Sequence, residues 1–86
     1  MIIKKELIKR DIAGEVFLVP VGKSMYDSNG LFILSELGAF IWDLLSNVAD
    51  EDAIVAAVLN DYEVDEATAR ADIREFLQKL QKLDIL

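Results

Sequence analysis

Apolar residues change their spacing once along this chain, near residue 35. In front of that point the pattern suits strands, and behind it the pattern suits helices. Leu7–Ile12 is read as a strand although it does not alternate cleanly. Ala13-Gly14 then offers a tight reversal into Glu15–Val21, whose Val, Phe and Leu suit a pleated surface. Pro20 has no amide hydrogen to give a ladder, so it marks the strand's end or an unpaired side. The stretch Gly22–Gly30 is dense in turn formers, and Leu31–Leu34 follows as a third short strand. Three strands joined by short connections make an antiparallel meander.

Behind residue 35 the repeat is that of a helix. Ser35 caps a first helix with apolar positions Leu37, Phe40, Ile41, Leu44 and Leu45, one continuous stripe. Trp42 lies about 130° from the centre of that stripe and is read as a boundary residue closing one side of the core. Asp50 caps a second helix, with Glu51 and Asp52 at its positive end and Ile54, Val55, Val58, Leu59 and Tyr62 facing inward. Asp65 caps a third, with Ala69, Ile73, Phe76, Leu77, Leu80 and Leu83 as its inner face. The fold class is therefore α+β, a winged-helix-like arrangement of a three-stranded antiparallel sheet followed by three helices.

Eighty-six residues suffice for one domain, so 1–86 is read as a single unit. Hydrophobic residues make up 53% of it, enough to exclude disorder. Cysteine is absent, and a secreted domain of this size usually needs disulfide staples, which points to the cytoplasm. The first ten residues hold no signal-peptide core. The longest uncharged runs, Ser28–Ser35 and Ala53–Asn60, are far short of the ~20 residues of a membrane span.

The net charge of −7 is unevenly spread. Residues 1–34 hold five Lys/Arg against four Asp/Glu, residues 35–69 hold nine acids and no base, and residues 70–86 hold four bases against three acids. The acidic middle disfavours nucleic acid and anionic membranes.

Catalytic equipment is missing. With no His and no Cys, the serines lack their usual activating base, and no soft or imidazole ligand exists for zinc or iron. Asp50-Glu51-Asp52 is the densest carboxylate cluster, but successive helical residues diverge by about 100° and cap a helix better than they hold an ion. The glycines at 14, 22, 30 and 38 form no phosphate-binding pattern. No catalytic residue, metal ligand or cofactor is assigned.

Two features suit binding. The first is the all-apolar strand Leu31, Phe32, Ile33 and Leu34, which offers apolar side chains to both faces of the sheet. A short strand buried on both sides would also account for it. The second is the third helix, where Arg70 and Arg74 flank Leu77 on one border while Asp72 and Lys79 flank Phe76 on the other. Any surface helix can show such a border.

The stretch GLFILSELGAFIWDLL (Gly30–Leu45), together with DEATARADIREFLQKL (Asp65–Leu80) and the closing LDIL (Leu83–Leu86), resembles the PqqD-like family. Members run from a short strand through a Leu-(Asn/Ser)-x-x-Gly/Ala turn into an apolar helix. Their third helix reads Asp-φ-x-x-Phe-Leu-x-x-Leu with φ apolar, here Asp72, Ile73, Phe76, Leu77 and Leu80. The front part Arg10–Gly22 is similar to members as well, and Ser35 stands where many have Asn, a change that keeps a helix cap.

The resemblance implies a recognition element for ribosomally synthesised, post-translationally modified peptides. Such a domain is a non-catalytic peptide chaperone. It binds the leader segment of a precursor by strand addition and presents the peptide to a tailoring enzyme, such as a radical SAM enzyme or a leader peptidase. The pathway is that of pyrroloquinoline quinone or another modified peptide. The leader is expected to pair with Leu31, Phe32, Ile33 and Leu34 and to set apolar side chains on Ile73, Phe76 and Leu77. Its polar residues are expected at Arg70, Asp72 or Arg74, the two arginines favouring an acid on the leader. An exposed apolar edge also allows a second copy to supply the missing strand as a homodimer. Two rival readings are a winged-helix DNA-binding regulator, with the third helix in the groove, and a plain dimerisation module.

Overall fold

The computed structural model describes residues 1–23 and 32–86. Strands β1 (Leu7–Ile12), β2 (Glu15–Pro20) and β3 (Phe32–Leu34) form one antiparallel sheet in the order β1-β2-β3. Helices α1 (Glu36–Leu44), α2 (Glu51–Asp61) and α3 (Glu66–Lys82) follow, with a 3-10 turn at Leu45–Asn47 after α1. This is the α+β order expected from the spacing. Leu31 and most of the turn-rich stretch before it lie outside the described residues.

The β1–β2 connection is a two-residue hairpin. Ile12 pairs with Glu15, and Ala13 and Gly14 both take positive φ, 54° and 84°. That is the geometry whose twist matches the flanking strands. Gly14 accepts it freely, while Ala13 carries a Cβ into the left-handed region.

Each helix starts where a side-chain oxygen can take an orphan amide. Ser35 Oγ accepts from Gly38 N at 3.0 Å, Asp50 Oδ1 from Ala53 N at 3.0 Å and Asp65 Oδ1 from Thr68 N at 2.7 Å. The far end of α3 closes as a Schellman motif: Asp84 sits at φ 58°, its amide donates to Gln81 O, and Ile85 N donates to Leu80 O at 2.8 Å. The turn tucks Ile85 into the core beside Leu80. The first residues strap this end down, Lys4 N donating to Ile85 O at 2.7 Å and the Met1 ammonium donating to Leu45 O and Val48 O.

The core lies between one sheet face and the three helices. Leu18, Ile41, Leu45, Ile54, Val58, Ile73 and Leu80 are fully buried in it. The register puts Leu18 opposite Phe32 and Val16 opposite Leu34 on that face, and Phe17 opposite Ile33 on the other. Along α1 and into the 3-10 turn the buried line is Gly38, Ile41, Trp42 and Leu45, rotated from the stripe expected around Leu37, Phe40 and Leu44. Trp42 is thus a core residue rather than a boundary one. Gly38, one turn before Trp42 on the same face, lets that face of α1 approach Leu34 and Phe76 closely. Phe40 instead meets Tyr62 edge-on, ring centroids 5.2 Å apart. Among the described residues no helix is long and apolar enough to cross a membrane.

Candidate functional site

The sheet has two edges, and they differ in chemistry. β1 carries Lys9, Arg10 and Asp11 in its middle, charges that discourage pairing with another chain. β3 is Phe-Ile-Leu and, among the described residues, pairs on one side with β2. Lys9 is itself held to the helical layer by an ion pair with Asp43 of α1. The open, uncharged edge is therefore β3.

Within β3 the residues alternate. Leu34 is 5% exposed and belongs to the core, Phe32 is half-buried on the same face, and Ile33 is 62% exposed on the other. The sequence-predicted strand is brought together as expected, and Leu31 lies outside the described residues.

β3 and α3 meet across the first turn of α1. A methyl group on Gly38 would lie 3.3 Å from Phe76 Cε1, 3.2 Å from Ser35 Oγ and 3.6 Å from Leu34 Cδ2. Gly38 thus forms a floor, with Leu34 of β3 on one side and Phe76 of α3 on the other. In the sequence Gly38 figures as the closing Gly of the Leu-(Asn/Ser)-x-x-Gly/Ala turn, with no packing role assigned. Its signal is its place three residues after the cap and one turn before Trp42.

The two borders of α3 are occupied differently. Taken from Ile73, Phe76 and Asp72 lie about 60° and 100° to one side, and Arg70 and Arg74 about 60° and 100° to the other. The Phe76 border faces Gly38 and β3. The arginine border faces the start of α2: Arg70 Nη1 lies 2.8 Å from Asp52 and 3.2 Å from Glu51, and Arg74 Nε lies 3.0 Å from Glu51. Arg70 also approaches Glu66 one turn back. Hydrogen bonding to Asp52 raises the Arg70 pKa further, leaving it a permanent cation.

Both arginines therefore tie α3 to α2, away from β3, because the acids that open α2 stand within reach of successive turns of α3. Ile73 is fully buried and Leu77 nearly so. They belong to the core, while Phe76 is half-buried beside Gly38. Asp72 is exposed, and its carboxylate has no ion pair or hydrogen bond among the described residues. Lys79, on the same border, lies 3.6 Å from Glu75. Asp50, Glu51 and Asp52 are spent on capping α2 and pairing the arginines, not on converging toward a common point.

This arrangement offers an extended peptide a row of main-chain groups along β3 and an apolar wall from Phe76. Among the described residues no serine hydroxyl is hydrogen-bonded to a base. The arrangement also withholds the α3 arginines from phosphate, which a DNA-reading helix needs free.

The model of a family described as Coenzyme PQQ synthesis protein D (PqqD) matches residues 15–86. Among solved structures, TbiB1 in complex with the TbiA(beta) leader peptide is similar, with a TM-score of 0.75 and 30% sequence identity. The match covers 100% of this chain and 94% of that one. No curated protein matches significantly.

Proposed function

Because this chain belongs to the PqqD family, we propose that it binds the leader segment of a ribosomally made precursor peptide as a fourth strand on β3. Held there, the precursor is presented to the enzyme that modifies or cleaves it. The domain contributes no chemistry of its own. The likeness to TbiB1, a chain solved with a leader peptide, supports the reading.

The observation that carries the placement is the contrast between the two sheet edges. β1 is blunted by Lys9, Arg10 and Asp11, whereas β3 is uncharged and adjoins the Gly38–Phe76 wall. A strand added to β3 gains ladder hydrogen bonds from its main chain. On the core-side face its alternate side chains reach Phe32 and Phe76, and on the other face they lie beside Ile33. Burying two or three of them contributes ~1.5–3 kcal/mol each, and ordering a flexible leader offsets part of that. The balance corresponds to an affinity from micromolar to high nanomolar.

Titration calorimetry with the leader of the cognate precursor tests this. A one-to-one isotherm in that range, weakened at least tenfold by Phe76→Ala, is expected. Unchanged affinity in Phe76→Ala, with its fold intact by circular dichroism, would contradict the placement.

A further inference from the structure

Asp72 stands out on the Phe76 border of α3 as a charge that no described residue neutralises. The arginines that made α3 look basic are turned to α2 and paired with Glu51, Asp52 and Glu66. On the border that faces β3, Lys79 is matched by Glu75. Asp72 remains, exposed and without a partner among the described residues, on the border shared with Phe76. The Phe76 border of α3 is thus acidic at Asp72, within a chain whose residues 35–69 hold nine acids and no base.

We propose that Asp72 makes this site select leader peptides with a lysine or arginine two residues from the apolar side chain that packs on Phe76. This rests on strand addition at β3. The spacing takes the added strand to run alongside α3. Asp72 and Phe76 are one turn apart, about 6 Å along the helix. Same-side residues of an extended peptide are about 6.6 Å apart. A peptide lying along α3 with an apolar residue over Phe76 therefore brings its next same-side residue to Asp72. A cation there gains a partner, and an acid there meets like charge. The preference is opposite to the one Arg70 and Arg74 suggest when their partners on α2 are not seen.

An exposed pair of this kind changes affinity about two- to fivefold and weakens as salt screens it. The probe is a phage-displayed library of random dodecapeptides, selected at low salt on the immobilised wild-type domain, on Asp72→Lys and on Phe76→Ala. Wild type should enrich an apolar residue with Lys or Arg two positions away. Asp72→Lys should keep the apolar residue and replace the base with Asp or Glu. If it enriches the same bases, or if wild type shows no charge preference while Phe76→Ala still abolishes selection, the role of Asp72 is refuted and strand addition stands. If Phe76→Ala selects the same peptides as wild type, the site itself is wrong, and this inference falls with it.

Discussion

Ile33 and Leu34 are neighbours in the chain with opposite environments, and stability should register the difference. Leu34 is 5% exposed on the core face, so Leu34→Ala should cost about 2–5 kcal/mol through lost burial and the cavity left. Ile33 is 62% exposed on the other face, and Ile33→Ala should stay within about 0.5 kcal/mol in the same denaturant titration. Ala13 is a second local test. It holds φ 54° at the first position of the hairpin turn, where Asn is tolerated far better. Ala13→Asn should therefore raise stability by about 1 kcal/mol. Asp65 supplies a pH test. Thr68 lowers its pKa, first through its side chain and then through its amide. A carboxylate whose folded pKa is depressed stabilises the fold above its unfolded value, and that contribution disappears as pH falls through the folded one. Wild type should thus melt above Asp65→Asn near neutrality, and the gap should close below about pH 4. Caps such as Asp65 were legible because their chemistry is local, an oxygen three residues before an amide. Trp42 was not, because an apolar stripe is centred on the large side chains, whereas the face of α1 that is buried includes Gly38, a residue that carries no weight in such a stripe.

At the scale of elements, the strands and helices appear in the sequence through their periods, but the direction in which each border faces does not. Arg70 and Arg74 read as free charges until α2 is placed beside them, since Glu51 and Asp52 are about twenty residues away in sequence. The structure makes these arginines a clamp between α2 and α3. Reversing both to Glu should lower the melting temperature in a thermal scan, because acid then opposes acid at the start of α2. Leader affinity measured below that transition should not fall, as it would if the arginines held the peptide. The edges of the sheet follow the same logic. Lys9, Arg10 and Asp11 blunt β1 only because the order β1-β2-β3 makes it an edge, which its sequence does not state.

In the molecule as a whole, α1 joins the two halves of the site. Its Gly38 meets Leu34 and Phe76 together, so the sheet edge and the third helix are set at a spacing that neither fixes alone. The closing turn at Asp84–Ile85 and the first residues lock the far end of α3, which keeps the Phe76 border turned toward β3. The central claim is that a leader peptide completes the sheet at β3. Amide hydrogen exchange followed by NMR, with and without the cognate leader, measures it most directly. Binding should slow exchange at outward-facing amides of Phe32–Leu34 and shift the resonances of Asp72 and Phe76, leaving β1 unchanged. New protection along Leu7–Ile12, or shifts confined to α1 and α2 with β3 untouched, would contradict it.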